Sequence, residues 1–224
     1  MADEATATTI PDTRKKSALR EYLEAIAIAL LLAFFIREFV VQAFKIPSGS
    51  MKDTLLIGDH ILVSKFSYGT HLPNQIPFTS IQLFPDIHFL QRIPQRGDII
   101  VFKYPKDPGR DFIKRVVGLP EETIEIRDRE ILINGERLTE GPYVNHQDPN
   151  LLSGLYSPRD NFGPVKIPPR HLFVMGDNRE NSQDSRWWGP LDIDLIKGRA
   201  FMVYWSWDGE ASNLRWDRLG NQLK

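Results

Sequence analysis

Two serines flank a glycine in the segment Pro47-Ser-Gly-Ser-Met51. A glycine here lets the backbone turn so that one hydroxyl is presented to a substrate while an amide points at a substrate oxygen. Ser-Gly-Ser is also common in ordinary loops, where hydroxyls satisfy turn amides. The pentapeptide is therefore a candidate nucleophile segment, and a serine nucleophile needs a base.

The usual base for serine is histidine, and the chain has five histidines. They lie between apolar or Pro-rich neighbours without a local signature, which is more typical of surface or packing residues. These residues are His60, His71, His88, His146 and His171.

Lysine is the other available base, and Lys114 lies in an apolar run, Asp111 to Pro120, that predicts a strand. Strand alternation points Lys114 and Arg115 to opposite faces, so one of them must lie inward, and only lysine can lose its proton there. A fall in its pKa from near 10.4 to about 7 to 8 requires roughly 4 kcal/mol, which burial supplies. Without a serine nearby, a lysine reaching water from a strand edge is the better interpretation.

A polar block runs from Met175 to Arg186, with an apolar strand before it and Trp187-Trp188 after it. This setting predicts a tightly hydrogen-bonded turn beside core residues. The alternative is an exposed charged loop, which is the usual fate of such runs.

The elements that must position these residues are mainly strands. From Phe44 onward, short apolar runs alternate with Pro and Gly, and Asn134-Gly135 is a good two-residue hairpin turn. The predicted strands are 59–64, 98–102, 122–126, 131–134, 171–175 and 199–205. The segment from Tyr68 to Pro94, rich in Pro and Phe, predicts an extended loop whose aromatic residues either contact lipid or cap the β core.

The amino-terminal part predicts a membrane anchor. Residues 1–21 form a polar cytoplasmic tail, and residues 22–42 form a helix about long enough to cross a bilayer, with Arg37 and Glu38 near the outer headgroups. Basic residues before the helix place the amino terminus inside, so residues 43–224 form an extracytoplasmic domain. The alternatives are a buried helix or a cleaved signal peptide, but no small-x-small site followed by polar sequence comes after the apolar core.

Composition excludes several function classes. The 224 residues carry 28 Lys and Arg against 29 Asp and Glu with no long basic run, so we expect no nucleic-acid partner. The absence of cysteine rules out disulfides, thiol nucleophiles and thiolate metal sites. No His, Asp and Glu set at ligand spacing is present, so neither a metal nor a cofactor is expected.

The Ser-Gly-Ser segment, the strand with Lys114 and the polar block follow an apolar helix in this order. Together they resemble the bacterial type I signal peptidases, which are serine/lysine endopeptidases, and the resemblance runs from about Tyr22 to Tyr204. The motifs that carry the resemblance are Pro47-Ser-Gly-Ser-Met51, Arg96-Gly-Asp-Ile-Ile-Val-Phe102, Asp111-Phe-Ile-Lys-Arg115, Gly176-Asp-Asn-Arg-Glu-Asn-Ser182 and Asp184-Ser-Arg186. The resemblance implies a membrane-bound enzyme, on the outer face of a bacterial cytoplasmic membrane, that removes signal peptides from exported preproteins.

The resemblance also implies a role for each site residue. Ser50 is the acylated nucleophile and Lys114 the general base, while Ser48 helps the Ser50 amide to hold the oxyanion. Ser182 orients the lysine amine, and a structural network beside the site contains Asp177, Asp184 and Arg186. The pocket next to the scissile bond is lined by Ile46, Met51, Leu55, Phe112 and Ile113. A second pocket, formed with the help of Phe44 and Val101, also accepts small side chains, and the substrate lies extended along strand edges.

The fold implied is a mostly-β core of coiled antiparallel sheets with a smaller β insertion between Gly118 and Arg170, preceded by one transmembrane helix. The expected partners are preproteins bearing signal peptides and a phospholipid bilayer. Two positions depart from the family pattern, with Asp53 where Pro is usual and Glu121 where Gly is common. Two alternatives remain: a serine/lysine processing peptidase of a specialised secretion or conjugation system, and a non-catalytic membrane-tethered β module that binds exported chains.

Overall fold

The computed structural model describes residues 18–71, 88–89 and 92–223. In chain order the strands are β1 Val41–Lys45, β2 Asp59–Ser64, β3 Thr70–His71, β4 His88–Phe89, β5 Ile99–Tyr104, β6 Asp107–Gly118, β7 Thr123–Arg127, β8 Glu130–Ile133, β9 Glu136–Arg137, β10 Phe162–Lys166, β11 His171–Met175, β12 Leu191–Asp192, β13 Ile196–Asp208 and β14 Asn213–Leu214. The helical elements are α1 Ala18–Phe35, a π-helix at Ile36–Val40, α2 Ser185–Trp188, and 3-10 helices at Ile193–Leu195 and Trp216–Arg218. The prediction of a mostly-β fold is confirmed.

The amino-terminal helix differs in its bounds from the prediction of 22–42. Among the described residues α1 already includes Ala18, and the helical segment ends at Val40, because Val41 and Gln42 pair with Ser64 and Val63 of β2. β-Branched residues such as Val41 favour an extended backbone where a partner strand is available. Within residues 18–71, 88–89 and 92–223, no helix reaches the length and apolarity that a bilayer crossing requires. Most of the predicted tail, residues 1–17, lies outside the described residues, as does most of the 68–94 loop.

The larger sheet has eight antiparallel strands and carries the candidate site. Its order is β1-β2-β13-β5-β6-β11-β12, with β14 paired to β13. β6 lies between β5 and β11, but β11 pairs only with the carboxyl-terminal part of β6, from Arg115 to Gly118. Within the described chain, the edge of β6 from Asp107 to Lys114 that faces away from β5 therefore has no partner strand.

The smaller sheet has four strands in the order β10-β7-β8-β9, and it falls within the segment predicted to be an insertion. Asn134 and Gly135 both have positive φ, of 53° and 84°, and they connect β8 to β9, which confirms the predicted hairpin. The chain between β9 and β10 has no strand, but Asn145 within it forms an isolated bridge with Asn178.

Three apolar clusters fill the interior, and two of them flank the site. The first cluster lies beneath the segment that carries the candidate nucleophile, and the second lies behind the rings of Phe102 and Phe112. The members of the first are Ile46, Met51, Leu55, Ile61, Val63, Ile99, Val101, Ile113, Ala200, Val203 and Leu223, with Phe44 packed against them. Burial of this apolar surface fixes the two segments that carry Ser50 and Lys114.

Candidate active site

Ser50 and Lys114 meet although 64 positions separate them in the sequence. The Lys114 Nζ lies 2.7 Å from the Ser50 Oγ and 2.8 Å from the main-chain oxygen of Ile113. Ser50 comes from the turn that follows β1, and Lys114 comes from β6. The distance is short enough for direct proton transfer between the hydroxyl and the amine.

The lysine is 3% exposed, and burial lowers its pKa from 10.5 to about 8. Desolvation is the main cause, because it disfavours the ammonium form. The carboxylates of Asp184 and Asp177 raise the pKa in part, and the guanidinium of Arg186 lowers it. A useful fraction of the amine is therefore neutral near neutral pH and can accept a proton.

Lys114 lies inward, as expected for one of the two basic residues, and Arg115 is buried as well. The arginine remains charged because its guanidinium binds Asp177 through two contacts, Nε to Oδ1 at 2.9 Å and Nη2 to Oδ2 at 2.7 Å. In the described part of the chain, no carboxylate lies within ion-pair distance of Lys114. The carboxylate partner, rather than the direction of the side chain, distinguishes the permanent cation from the candidate base.

The turn that carries Ser50 is held from the side by Asn178. Its backbone N–H donates to the Ser50 carbonyl at 3.1 Å, and its Nδ2 donates to the Gly49 carbonyl at 3.0 Å. Gly176 allows this approach, because a Cβ at that position would lie 2.5 Å from the Ser50 carbonyl oxygen and 2.3 Å from the Ser182 Oγ. The position therefore requires a residue without a side chain.

The polar block from Met175 to Arg186 is mostly buried, with Asn181 and Gln183 exposed, so the prediction of a tightly hydrogen-bonded turn is confirmed over the exposed-loop alternative. Asp184 binds Arg186 through Nε at 2.9 Å and Nη2 at 2.8 Å, and it accepts from the Gly176 N–H at 3.1 Å. Burial by itself would raise the pKa of Asp184, but Arg186 holds this pKa below its ordinary value. Asp177 additionally accepts from the Thr54 Oγ1 at 2.6 Å.

Ser182 lies at the site without the contact predicted for it. Its Oγ is buried and has no hydrogen-bond partner among the described residues, so it does not bind the Lys114 amine in this structure. It lies close enough to Asp184 to help lower the pKa of that carboxyl. Ser182 also lines the same cleft as Ser50 and Lys114.

The cleft has a volume of about 770 Å³ and opens directly onto the two candidate catalytic side chains. Its walls come from the Ser50 turn, from the unpaired edge of β6 and from the polar block. The lining residues are Pro47, Ser48, Gly49, Ser50, Arg110, Asp111, Phe112, Ile113, Lys114, Glu180, Asn181, Ser182, Gln183 and Trp187. Ser48 is exposed on this wall.

The residues predicted to line the two substrate pockets divide into two groups. Phe112 and Ile113 lie on the cleft wall. The others belong to the first apolar cluster and are not on that wall, and these are Phe44, Ile46, Met51, Leu55 and Val101. They form the packed layer beneath the Ser50 turn.

Sequence reasoning missed several residues that hold the site together. Asn178 and Gly176 were quoted only as parts of a motif, and Arg115 was set aside because it cannot lose its proton. Arg218 was not considered, although it donates to the Thr54 carbonyl at 2.9 Å and pairs with the buried Asp59 at 2.6 Å. No local pattern marks Arg218, because its partners lie more than 150 positions away.

Within the described chain, no group of three or more His, Cys, Asp or Glu side chains is arranged to hold a metal ion. The side chains brought together at the cleft offer a hydroxyl nucleophile, a buried amine and nearby hydrogen-bond donors.

Comparison with known proteins supports this interpretation. The sequence profile of the family described as "Signal peptidase, peptidase S26" matches residues 19–205. The "Signal peptidase I" of Pseudomonas fluorescens is 38% identical, with 90% of this chain and 78% of that protein covered. That of Pseudomonas aeruginosa is 37% identical over 92% and 80% of the two chains, and that of Aquifex aeolicus is 32% identical over 84% and 85%.

A crystal structure of a signal peptidase I from Enterococcus faecalis aligns with 48% of this chain and 97% of its own, at 34% identity and a TM-score of 0.40. The family profile spans most of the chain, and three bacterial relatives share about a third of their residues with it over most of both lengths. The chain belongs to the signal peptidase family, peptidase S26, and is a serine endopeptidase that removes signal peptides.

Proposed function

We propose that Ser50 is the nucleophile and Lys114 the general base with which this enzyme cuts signal peptides, through an acyl-enzyme. The observation that carries the proposal is the 2.7 Å contact between the Ser50 Oγ and a buried lysine amine whose pKa is lowered to about 8. A lysine with this environment and this partner can do what histidine does in other serine peptidases.

Each step uses these two side chains. The neutral Lys114 amine takes the proton of the Ser50 hydroxyl as the Oγ attacks the carbonyl carbon of the scissile bond. The tetrahedral intermediate collapses when the resulting ammonium gives that proton to the leaving amine, which breaks the C–N bond and leaves an ester on Ser50. Lys114 then takes a proton from water as the water oxygen attacks the ester carbonyl carbon. When this second intermediate collapses, the bond between the Ser50 Oγ and the carbonyl carbon breaks and the Lys114 ammonium returns the proton to the Oγ, which releases the carboxyl end of the signal peptide and restores both side chains.

The oxyanion of the intermediate needs donors that are already in place. We assign this role to the Ser50 backbone N–H and the Ser48 hydroxyl, which lies on the same wall of the cleft. The Asp184–Arg186 pair, Asp177 and Ser182 then act as positioning residues. They hold the Gly176 turn against the Ser50 carbonyl and set the charges around the lysine.

The unpaired edge of β6 provides a place for the substrate. An extended peptide laid along residues 110–114 would continue the sheet where β11 ends, and its scissile carbonyl would lie next to Ser50. Ile46, Met51 and Val101 in the layer beneath are no more than 2% exposed, so they form a closely packed apolar surface under the Ser50 turn. Small side chains at the first and third positions before the cut fit such a surface better than large ones.

The decisive experiment measures cleavage of a purified preprotein in detergent with phospholipid. Ser50→Ala and Lys114→Ala are compared with Ser153→Ala and Lys103→Ala, which change the same residue types at exposed positions away from the cleft. We expect cutting after a small-x-small sequence to be abolished by the first two changes and retained by the other two. Full activity of either Ser50→Ala or Lys114→Ala, with the fold intact, would refute the assignment.

We also propose that the amino-terminal helix anchors the enzyme in the cytoplasmic membrane, with the catalytic domain on the outer face. α1 has 18 residues and the π-helix adds 5, and no residue of α1 is buried against the rest of the described chain. Its large apolar side chains are exposed around the helix, for example Ile28, Leu30 and Leu31 at 65–69%. Such a surface is stable in lipid and unfavourable in water.

The absence of cysteine makes the topology easy to test. Single cysteines introduced as Thr8→Cys and Leu151→Cys are labelled in intact cells with a membrane-impermeant maleimide. The proposal predicts labelling at position 151 alone, and recovery of the protein in the membrane fraction. Labelling at position 8 with protection at 151, or release of the chain by a salt wash, would contradict it.

A further inference from the structure

The chain between β9 and β10 passes directly over the active-site turn. Its segment 140–146, here called the brace, contacts the polar block at several points although it belongs to the part of the chain that carries the smaller sheet. Glu140 pairs with the buried Arg179, and the Tyr143 ring lies 3.8 Å from the guanidinium carbon of Arg115. His146 binds Glu180 at 2.6 Å.

Asn145 is the centre of these contacts. Its backbone N–H donates to the Asp177 carbonyl at 2.9 Å, and its carbonyl accepts from the Arg179 N–H at 3.1 Å. These two bonds form the isolated parallel bridge with Asn178, the residue whose own N–H and Nδ2 hold the carbonyls of Ser50 and Gly49. The backbone of Asn145 is thus fixed next to Asn178, and Asn178 is the only residue between it and the nucleophile turn in this chain of hydrogen bonds.

The Asn145 side chain reaches the same turn from the other side. Its Nδ2 donates to the Asp53 carboxylate, three residues after Ser50. Asp53 has a φ of 77°, in the left-handed region that non-glycine residues adopt at a cost of about 1 kcal/mol or more, and proline cannot adopt it because its ring fixes φ near −65°. A conformation of this kind persists where surrounding contacts hold it, and Asn145 supplies such a contact.

A closed ring of contacts results, which runs from Ser50 to Asn178, through Asn145 to Asp53, and back to Ser50 along the turn. We propose that Asn145 is a positioning residue for the nucleophile, through which the brace keeps the Ser50 Oγ within proton-transfer distance of Lys114. This inference rests on the proposed function of Ser50 and extends it to a residue outside the three catalytic motifs. Loss of the contact would let the turn relax, and a misplacement of about 1 Å is enough to slow catalysis strongly.

The test exchanges the two polar partners. Asn145→Asp puts a carboxylate opposite the Asp53 carboxylate, and the double variant Asp53→Asn with Asn145→Asp restores an amide–carboxylate hydrogen bond with its direction reversed. Asn150→Asp is the matched control, because it makes the same charge change in the same stretch of chain, where the Asn150 side chain forms a hydrogen bond with Asp148 instead of with the nucleophile turn. The full chain is assayed with a preprotein in detergent and phospholipid, and kcat, KM and the thermal midpoint are measured for each variant.

We expect Asn145→Asp to lower kcat by about tenfold or more with little change in KM, and the double variant to recover most of the loss. Asn150→Asp should resemble the unmodified enzyme. Wild-type kcat in Asn145→Asp, or a loss that the double variant does not recover, would overturn the proposal. If Asn145→Asp fails to fold, Asp53→Ala replaces it, where a lower kcat at an unchanged thermal midpoint supports the role and an unchanged kcat refutes it.

Ser50→Ala is included in the same assay, so that a failure of the nucleophile assignment can be distinguished from a failure of the positioning role of Asn145. An inactive Ser50→Ala with a fully active Asn145→Asp would refute only the positioning role. Activity in Ser50→Ala would refute the nucleophile assignment itself, whatever the Asn145 variants show.

Discussion

Replacement of Lys114 by Met should increase the free energy of unfolding, and the increase should depend on pH. Met is unbranched and similar in length, so it fills the same space without a charge. In the folded enzyme the lysine is buried and its pKa is about 8, whereas the ordinary pKa of a solvated lysine is 10.5. At neutral pH the fold must therefore bury an ammonium that the unfolded chain leaves in water.

The magnitude follows from the two pKa values. A difference of 2.5 pKa units corresponds to about 3 kcal/mol of lost stability below pH 8, where the lysine is protonated in both states. Between pH 8 and 10.5 the unfolded state binds more protons than the folded state, so the stability contributed by the lysine rises with pH. At pH 10 only about 1 kcal/mol of the penalty remains. The advantage of Lys114→Met should fall by about 2 kcal/mol between pH 7 and pH 10.

Urea unfolding followed by tryptophan fluorescence in detergent measures this difference at several pH values. The pH-dependent part is the informative quantity, because the loss of the hydrogen bonds from Nζ to Ser50 and Ile113 adds an offset of about 1 to 3 kcal/mol. Lys103→Met, at an exposed position, serves as control and should show no such dependence. A constant difference between Lys114→Met and the unmodified enzyme from pH 7 to 10 would refute the claim that burial holds the lysine pKa near 8.

Four further predictions test other parts of the site. The rate of preprotein cleavage at saturating enzyme should rise with pH through about 8, because the neutral amine is the active form, and a profile flat from pH 6 to 9 would contradict this. Gly176→Ala should reduce kcat by at least about tenfold, since a Cβ 2.5 Å from the Ser50 carbonyl oxygen must displace the nucleophile turn, and normal kcat would show that the turn yields without loss. Glu121→Gly should raise the unfolding free energy by about 1 kcal/mol in a urea titration, because residue 121 has a φ of 67°, and a loss of stability would contradict this explanation. Asp177→Asn should lower the unfolding free energy by about 3 to 5 kcal/mol, since it leaves the buried Arg115 guanidinium without its carboxylate, and a change below about 1 kcal/mol would show that water replaces it.

The sequence alone was sufficient to select the candidate nucleophile and base, because few residue types can act in these roles. A serine beside a glycine needs a base, the histidines had no suitable setting, and a lysine in an apolar strand was the remaining choice. The strands themselves follow from alternating apolar runs, and the Asn134-Gly135 turn follows from the positive φ of both residues. The strands and this turn are local properties, and they were predicted correctly. The roles of the serine and the lysine stay predictions.

Pairings between distant residues could not be predicted in the same way. Arg115 and Asp177 are 62 positions apart, and Arg218 and Asp59 are 159 apart, with nothing in either neighbourhood to indicate the partner. The burial of both Lys114 and Arg115 also could not be predicted from alternation, because β6 is buried at every position from Ile113 to Gly118 and is covered on both faces there. Partners of this kind follow from the three-dimensional arrangement of the strands.

The two departures from the family pattern have backbone explanations that the sequence did not provide. Glu121 lies in the left-handed region, the conformation that favours the glycine common at this position. Asp53 lies there too, and proline, the usual residue at that position, cannot adopt this φ. The turn after Ser50 therefore has a backbone that proline would not allow, and the Asn145 side chain of the brace contacts it at this residue.

The distribution of carboxylates decides which buried cation becomes a base. Asp177 is bound by Arg115 and Asp184 by Arg186, each through two contacts, so each carboxylate is matched by a guanidinium that cannot lose its proton. The attraction of these carboxylates for Lys114 is therefore partly cancelled, as the opposing effect of Arg186 on its pKa shows. Desolvation then has the largest effect on the lysine, and its proton can be lost near neutral pH. A buried lysine with a carboxylate of its own would instead be a permanent ion pair, and Ser50 would have no base.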